Sequence, residues 1–407
     1  MRHQNIVFHA LLKQVPWHVV DRLVDEHEAD HDARALTTKC HLIAMLYAQF
    51  SGAQGLREIA TGLQSHSGKL YHLGGCTVSR STLSTANSSR SVEVFSGLLA
   101  ALMVQVQRGY RRKIGVKECV RLIDSTGVKL SSLSRHWATF STGVCGAKAH
   151  IVYDPDADQS LYLMLTAANV NDITAAKEMP IEAGATYVFD LGYYDFGWWA
   201  ALDDAGCRII TRLKANTPFE TVEDRSIPPR TSILSDRTGH LPKRLAYYRK
   251  NPMSGLVREI QVKIETGKVL RIFTNDLIAS AQEIADLYKR RWAIELFFRW
   301  VKQTLKIDHF VGTTENAVRI QIVVALIAFL LLRLAQEANR IVTSQRAFAK
   351  LIQTNLMHRR PIARLLEPPS LSPHHLKQQE LDFAVFATRA AHRRRANRIH
   401  SAIERAA

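Results

Sequence analysis

Three carboxylates stand out by their surroundings. Asp124 closes the hydrophobic run CVRLID, Asp190 closes ATYVFD, and Glu295 is the single acid in the basic, apolar segment YKRRWAIELFFRWVKQTLK (Tyr288–Lys306). Carboxylate oxygens are hard ligands suited to Mg2+ or Mn2+. Two such ions roughly 3.5–4 Å apart can activate an attacking oxygen and stabilise a leaving one in phosphoryl transfer, while nearby Lys and Arg hold the phosphates. An acid kept inside a cationic strip then has a reason, since it binds the metal while its neighbours bind the backbone. Each residue also has a plainer reading. An Asp can end a strand as a turn or cap residue, and Glu295 can pair with Arg291 and Arg299 one helical turn away.

The elements that must position these side chains follow from pattern. Neither Pro nor Gly interrupts Tyr288–Lys306, and its residues favour helix. At about 100° per residue, Arg291, Lys302 and Glu295 fall within about 40° of one another, with Tyr288, Arg299 and Lys306 beside them. Leu296, Trp300, Phe297, Val301, Ile294, Leu305 and Phe298 cover the opposite side, so the wheel places a cationic strip over a buried face. CVRLID and ATYVFD read as buried strands, and the ends of strands in an α/β sheet are where ligands gather.

Composition narrows the partners. Lys and Arg number 54 against 37 Asp and Glu, a net charge of +17 over 407 residues, which implies a polyanion such as DNA or RNA. A hydrophobic content of 46% argues for a folded chain. Five scattered cysteines without CxxC spacing fit a reducing cytosol and argue against zinc modules and disulfide frameworks. The N-terminus has no signal-peptide core. The apolar run Ile322–Leu332 is short for a membrane span of about 20 residues, so it reads as a buried core helix in a soluble, cytoplasmic protein with no membrane partner.

Three regions emerge along the chain. Residues 1–110 read as all helical, with HLIAMLYAQF and VEVFSGLLAALMVQV as apolar helices and a Ser/Thr/Asn/Arg-rich helix near Ser79–Ser89. That last helix suits groove reading or phosphate contact, or is a capped member of a helical bundle. Residues 111–341 read as mixed α/β: CVRLID, AKAHIVYD and LYLMLTAA as strands in meander order, NDITAAKEM as a capped helix, then ATYVFD, the Gly-closed helix FGWWAALDDAG and CRIITRL. Within this region, about 215–268 is a punctuated β-rich insertion, including RLAYYRK, before VLRIFTN resumes the core. Residues 342–407 form a basic helical tail, with HRRPIAR and AHRRRANRIH.

The whole resembles bacterial insertion-sequence transposases of the DDE type, in the group marked by a Tyr-Arg-Glu-Lys signature. Tyr288, Arg291, Glu295 and Lys302 meet the pattern Y-x2-R-x3-E-x6-K in full, and LIDSTGVKL and VFDLGYYDF precede it in the expected order. GAKAHIVYD, TNDLIASAQEIADLYKRRW, VGTTENAVRIQIVVALIAFLLL and the N-terminal FSGAQGLREIATGL extend the likeness over most of residues 1–335.

The resemblance implies an RNase H-like catalytic core with a β-rich insertion, preceded by an all-helical N-terminal DNA-binding domain. It implies that Asp124, Asp190 and Glu295 are catalytic and hold two Mg2+ ions, with Mn2+ able to substitute. Tyr288, Arg291 and Lys302 would contact phosphates of the transposon end, with Arg299 and Lys306 on the same strip. Trp292 would support a flipped base, or be a core tryptophan. Lys148 and His150 match common family positions, and a structural histidine is the plainer reading of the second. Leu191 stands after Asp190 where relatives often carry a basic residue, which bears on one phosphate contact only. The implied activity is binding of terminal inverted repeats, hydrolysis at each end and strand transfer into target DNA by a homodimer. Competing readings are a regulator or inactive copy that binds without cutting, and an RNase H-like nuclease without strand transfer.

Overall fold

The computed structural model describes residues 6–367 apart from 32, 35, 115–118, 142–143, 157–158, 228, 230, 244–249 and 305–309. The chain divides into two compact units, Met1–Ile362 and Ala363–Ala407, and the elements that follow lie in the first.

A single mixed sheet organises that unit. Its strands are β1 (Val120–Leu130), β2 (Thr139–Ser141), β3 (Val144–Asp154), β4 (Gln159–Ala167), β5 (Thr186–Val188) and β6 (Arg208–Arg212), then β7 (Glu220–Asp224), β8 (Ile233–His240), β9 (Val257–Lys263) and β10 (Val269–Thr274). They lie in the order β2-β3-β1-β5-β6-β10-β9-β8-β7, with β4 also paired to β3. β1, β3 and β4 form the antiparallel meander read from the sequence. β5 and β6 then add in parallel beside β1. Three antiparallel strands followed by parallel crossovers fit an RNase H-like core.

The β-rich segment shares this sheet. β10 pairs antiparallel with β6, and β9, β8 and β7 follow outward. Had it stood apart, β6 would present an open row of backbone donors and acceptors. β9 carries two charged side chains into the interior, each fully paired: Arg258 with Asp236 at 2.7 Å, and Glu259 with Arg271 at 2.8 Å and Arg237 at 3.2 Å. Most of the expected segment RLAYYRK lies outside the described residues.

Alternation along the strands sends successive side chains to opposite faces. On one face, Ile123, Tyr187, Phe189, Ile209 and Phe273 join Tyr193, Trp198 and Trp199 in a core. Helices α9 (Asp172–Glu178) and α10 (Phe196–Asp204) cover it, and Gly206, at φ 69°, closes the latter. On the other face, Tyr153 lies opposite Leu122, and its ring meets Phe297 at 4.9 Å. Phe297 in turn packs on Phe329 at 5.1 Å. Those two phenylalanines belong to helices α12 (Trp292–Thr304) and α13 (Glu315–Ala338).

The apolar run Ile322–Leu332 sits inside α13, which is buried almost all round. It is long and apolar enough to cross a membrane, but most of it is covered by protein. Its cover comes from α3 (Thr38–Ser51), α6 (Arg80–Ser89), α7 (Val92–Ile114) and α14 (Gln345–Asn355). Asn316 fixes the join, donating to the carbonyls of Asn87 at 3.0 Å and Arg90 at 2.8 Å. The helices of the first 110 residues therefore pack around a helix supplied from beyond Glu295. Ser79, Ser280 and Thr314 cap helices through their hydroxyls, each accepting from the backbone N–H three residues on. None of the five cysteines is paired in a disulfide.

Candidate active site

The parallel register of β1 and β5 brings the two aspartates together. Leu122 pairs with Val188 in the last rung. Asp124 and Asp190 each stand two residues beyond it, so pleating returns both to the face of that rung, on strands about 4.8 Å apart. β1 does not end at Asp124, as the sequence suggested. It runs on to Leu130, zipped to β3, with Asp124 opposite Ile151. What ends there is β5, whose ladder stops at Val188, so Asp190 leaves the strand and accepts from the Gly192 N–H at 2.8 Å. The neighbouring Ser125 N–H donates to Asp124 Oδ1, also at 2.8 Å. Both carboxylates are thus held by backbone donors.

Glu295 arrives on the same face. The long helix expected across Tyr288–Lys306 is broken at Arg291 into α11 (Ala281–Arg290) and α12. Three-residue hydrogen bonds mark the break, Arg291 N–H to Tyr288 at 3.1 Å and Ile294 N–H to Arg291 at 3.2 Å. Such a tightened step rotates all that follows. Tyr288, expected on the outer strip, is accordingly buried, and Leu296, expected on the covered face, is 47% exposed. Trp292 is 52% exposed and Arg299 is exposed. Lys306 lies outside the described residues.

Arg291 ties the acids together. Its guanidinium donates to Glu295 at 2.6 Å and reaches Asp124 at 3.7 Å. The plain i,i+4 pair therefore coexists with a cation shared between Glu295 and Asp124. Lys302 clamps the other end of α12 to β1, donating to the Gly127 carbonyl at 2.7 Å. Burial, with the charges of Asp190 and Glu295 adding to it and the Ser125 N–H and Arg291 acting against it, pushes the Asp124 carboxyl up to about 6. A carboxyl so placed gains from a divalent cation, and the oxygen donors suit Mg2+ or Mn2+. Among the described residues, no three acidic, His or Cys side chains are already gathered as a ligand set. Arg291 occupies the space between two of the candidates.

A fourth carboxylate, Asp172, escaped the sequence reading. NDITAAKEM looked like a capped helix, and α9 does start there, but Asn171 makes no side-chain cap. Asp172 instead accepts from Ser125 Oγ at 2.9 Å and from Lys148 Nζ at 3.1 Å. His150 stands 3.7 Å from it and bonds Thr166 through its other ring nitrogen at 2.9 Å. Burial holds the His150 imidazole down at about 4, aided by Lys148 and opposed by Asp172, so it is neutral. The signal lay in register: β1 and β3 pair Ser125 with His150 and Gly127 with Lys148, which no single strand discloses.

Comparison with known proteins identifies the family. The model of the transposase DDE domain matches residues 115–331, and that of a domain of unknown function (DUF4372) matches residues 3–76. A Sinorhizobium fredii protein whose name marks it as a transposase, y4zB, is 40% identical over 72% of this chain and 82% of its own. A Geobacillus stearothermophilus protein, named for the transposase of insertion sequence element IS5377, is 29% identical over 62% of this chain and 66% of its own. The solved piggyBac transposase synaptic complex with hairpin DNA is a distant likeness, at 10% identity and a TM-score of 0.45, aligned over 93% of this chain and 86% of that one.

Proposed function

The chain belongs to the DDE transposases and is a DNA transposase, and from that premise we propose that it cuts at the terminal inverted repeats of its own insertion sequence and joins the freed 3′-OH ends to target DNA. Asp124, Asp190 and Glu295 are the catalytic carboxylates in this reading. The observation that carries it is their placement: two aspartates two residues past the same β1–β5 rung, and Glu295 joined to the first of them through Arg291.

The family depends on divalent metal, and here the ions would be two Mg2+, with Mn2+ able to replace them. Two bound cations supply an activated attacking oxygen and a stabilised leaving oxygen. The protein's own groups do the rest. Asp124 gives up its proton near neutral pH, which makes its oxygen available as a ligand. Arg291 releases Glu295 and turns to a phosphate of the transposon end. Lys302 and Arg299 add positive charge along α12, Tyr288 supports that strip from beneath, and the exposed Trp292 ring offers a stacking face to a displaced base; Lys306 is a further phosphate contact in this proposal.

Residues 1–110 recognise the ends in this proposal, with the Ser/Thr-rich exposed side of α6 against DNA, and a homodimer pairs two ends in the cytoplasm at the nucleoid. Labelled terminal repeats incubated with Mg2+ and target DNA test it. Cleavage plus joining is the expected outcome. Cleavage alone indicates a nuclease, and binding alone a regulator. Asp190→Ala should bind ends and perform neither reaction.

A further inference from the structure

We infer that Asp172 is a positioning residue for the acidic side chains of the site, bracing Asp124 and Asp190 from the opposite face of the sheet, with Lys148 as its counter-ion. The inference rests on the reading of Asp124, Asp190 and Glu295 as metal-holding carboxylates.

Pleating sets the Asp124 and Asp172 carboxylates on opposite faces. Asp124 shares the face of Leu122 and α12, so Ser125 points to the face of Ile123, where α9 packs. There Ser125 Oγ donates to Asp172 at 2.9 Å. The Ser125 backbone N–H meanwhile donates to Asp124, so one residue links the two carboxylates through its two donors. The second link runs through the turn after β5. Gly192 donates its N–H to Asp190, and a Cβ on Gly192 would stand 3.1 Å from Asp172 Oδ2 and 3.0 Å from Asp190 Oδ1. Asp172 thus abuts both short segments that fix the direction of the two aspartates.

Charge decides why it serves as a brace and not as a further ligand. Its Oδ1 is taken by Ser125 and Lys148, and Lys148 is anchored in turn on the Val170 carbonyl at 2.9 Å. The Lys148 ammonium offsets the added negative charge, so a fourth acid stands beside the cluster without drawing a cation to itself. The buried His150 Nδ1 faces the same oxygen with no hydrogen-bond partner, which leaves that side of Asp172 closed by protein.

The test is Mn2+ binding to the full chain without DNA, followed by electron paramagnetic resonance, alongside end-DNA binding and thermal melting. Asp172→Ala is expected to weaken Mn2+ binding roughly tenfold, the range seen when groups supporting a ligand are removed, with end-DNA binding unchanged. Asp172→Asn keeps an oxygen for Ser125 and should recover most of that loss, while Lys148→Met should weaken binding as a free Asp172 distorts the site. A folded Asp172→Ala that binds Mn2+ like the parent overturns the inference. If Asp172→Ala fails to fold, parental binding by both Asp172→Asn and Lys148→Met overturns it instead, because the residue is then only part of the scaffold. Asp190→Ala separates the two levels: loss of Mn2+ there, with none in the Asp172 variants, sinks the inference alone. Parental binding in Asp190→Ala sinks the reading of the site and the inference with it.

Discussion

Arg291 donates to Glu295 at 2.6 Å across a single helical turn, and it does so from the residue at which the helix is broken. The break and the pair are connected. The tightened step brings the guanidinium round to face β1, where Asp124 is 3.7 Å away, so one cation screens two acids that would otherwise repel. Arg291→Lys keeps the charge and loses the planar fork. Metal-free stability in urea should fall by no more than about 1 kcal/mol, while cleavage of labelled ends drops at least about tenfold, equivalent to about 1.4 kcal/mol in the barrier.

The Asp124 carboxyl, at about 6 in the folded chain against an ordinary 3.8, makes stability depend on pH. A raised value means that the folded state holds the proton more tightly than the unfolded state. Its contribution is fully present below pH 3.8 and is lost as the pH rises through about 6. The full effect is on the order of 3 kcal/mol. Asp124→Asn should therefore abolish cleavage, stabilise the metal-free protein at pH 7 by about 1–2 kcal/mol and flatten the pH profile between roughly 4 and 6. Urea unfolding at pH 5 and pH 7 checks it, and a variant less stable than the parent at pH 7 would rule it out.

The same shift bears on metal affinity. Below about 6 a cation must displace the Asp124 proton. Mn2+ titrations at constant ionic strength should show affinity falling about tenfold per pH unit below that point and levelling above pH 7. An affinity independent of pH from 5 to 7 would remove Asp124 from the ligand set.

Trp292 and Trp199 should respond in opposite ways. Trp292 is half exposed, so Trp292→Ala should change stability by less than about 0.5 kcal/mol while impairing cleavage or joining. Trp199 is fully buried, stacks on Phe273 at 4.7 Å and donates from Nε1 to the Tyr193 carbonyl at 3.0 Å. Its truncation to Ala should cost about 3–5 kcal/mol. Thermal melting read beside a strand-transfer gel distinguishes the two.

The Lys302 link to the Gly127 carbonyl predicts a subtler effect. Lys302→Met should leave melting within about 0.5 kcal/mol, since the partner carbonyl remains accessible to water. End-DNA affinity should fall, with a salt dependence shallower by about one ion. An unchanged salt slope in filter binding would mean that Lys302 stays on β1 when DNA is present.

Much of this protein is written locally. CVRLID, AKAHIVYD and CRIITRL are strands because short apolar runs carrying β-branched residues suit a half-buried pleated surface, and Ser280 and Thr314 announce the helices they cap. The two aspartates were legible as polar residues following buried runs, and Glu295 as the lone acid of its segment. Tertiary pairing decided the rest. β1 extends past Asp124 because β3 supplies partners as far as Leu130, and β5 stops because Asp190 takes its hydrogen bond from Gly192. Neither Gly nor Pro marks the break at Arg291, so a wheel drawn through it put Tyr288 and Leu296 on the wrong sides. Asp172 was invisible for the same reason: its partners Ser125, Lys148 and His150 meet only when β1, β3 and α9 are laid side by side. Propensity and periodicity act over a few residues, whereas these contacts join positions that only sheet register brings within hydrogen-bond distance.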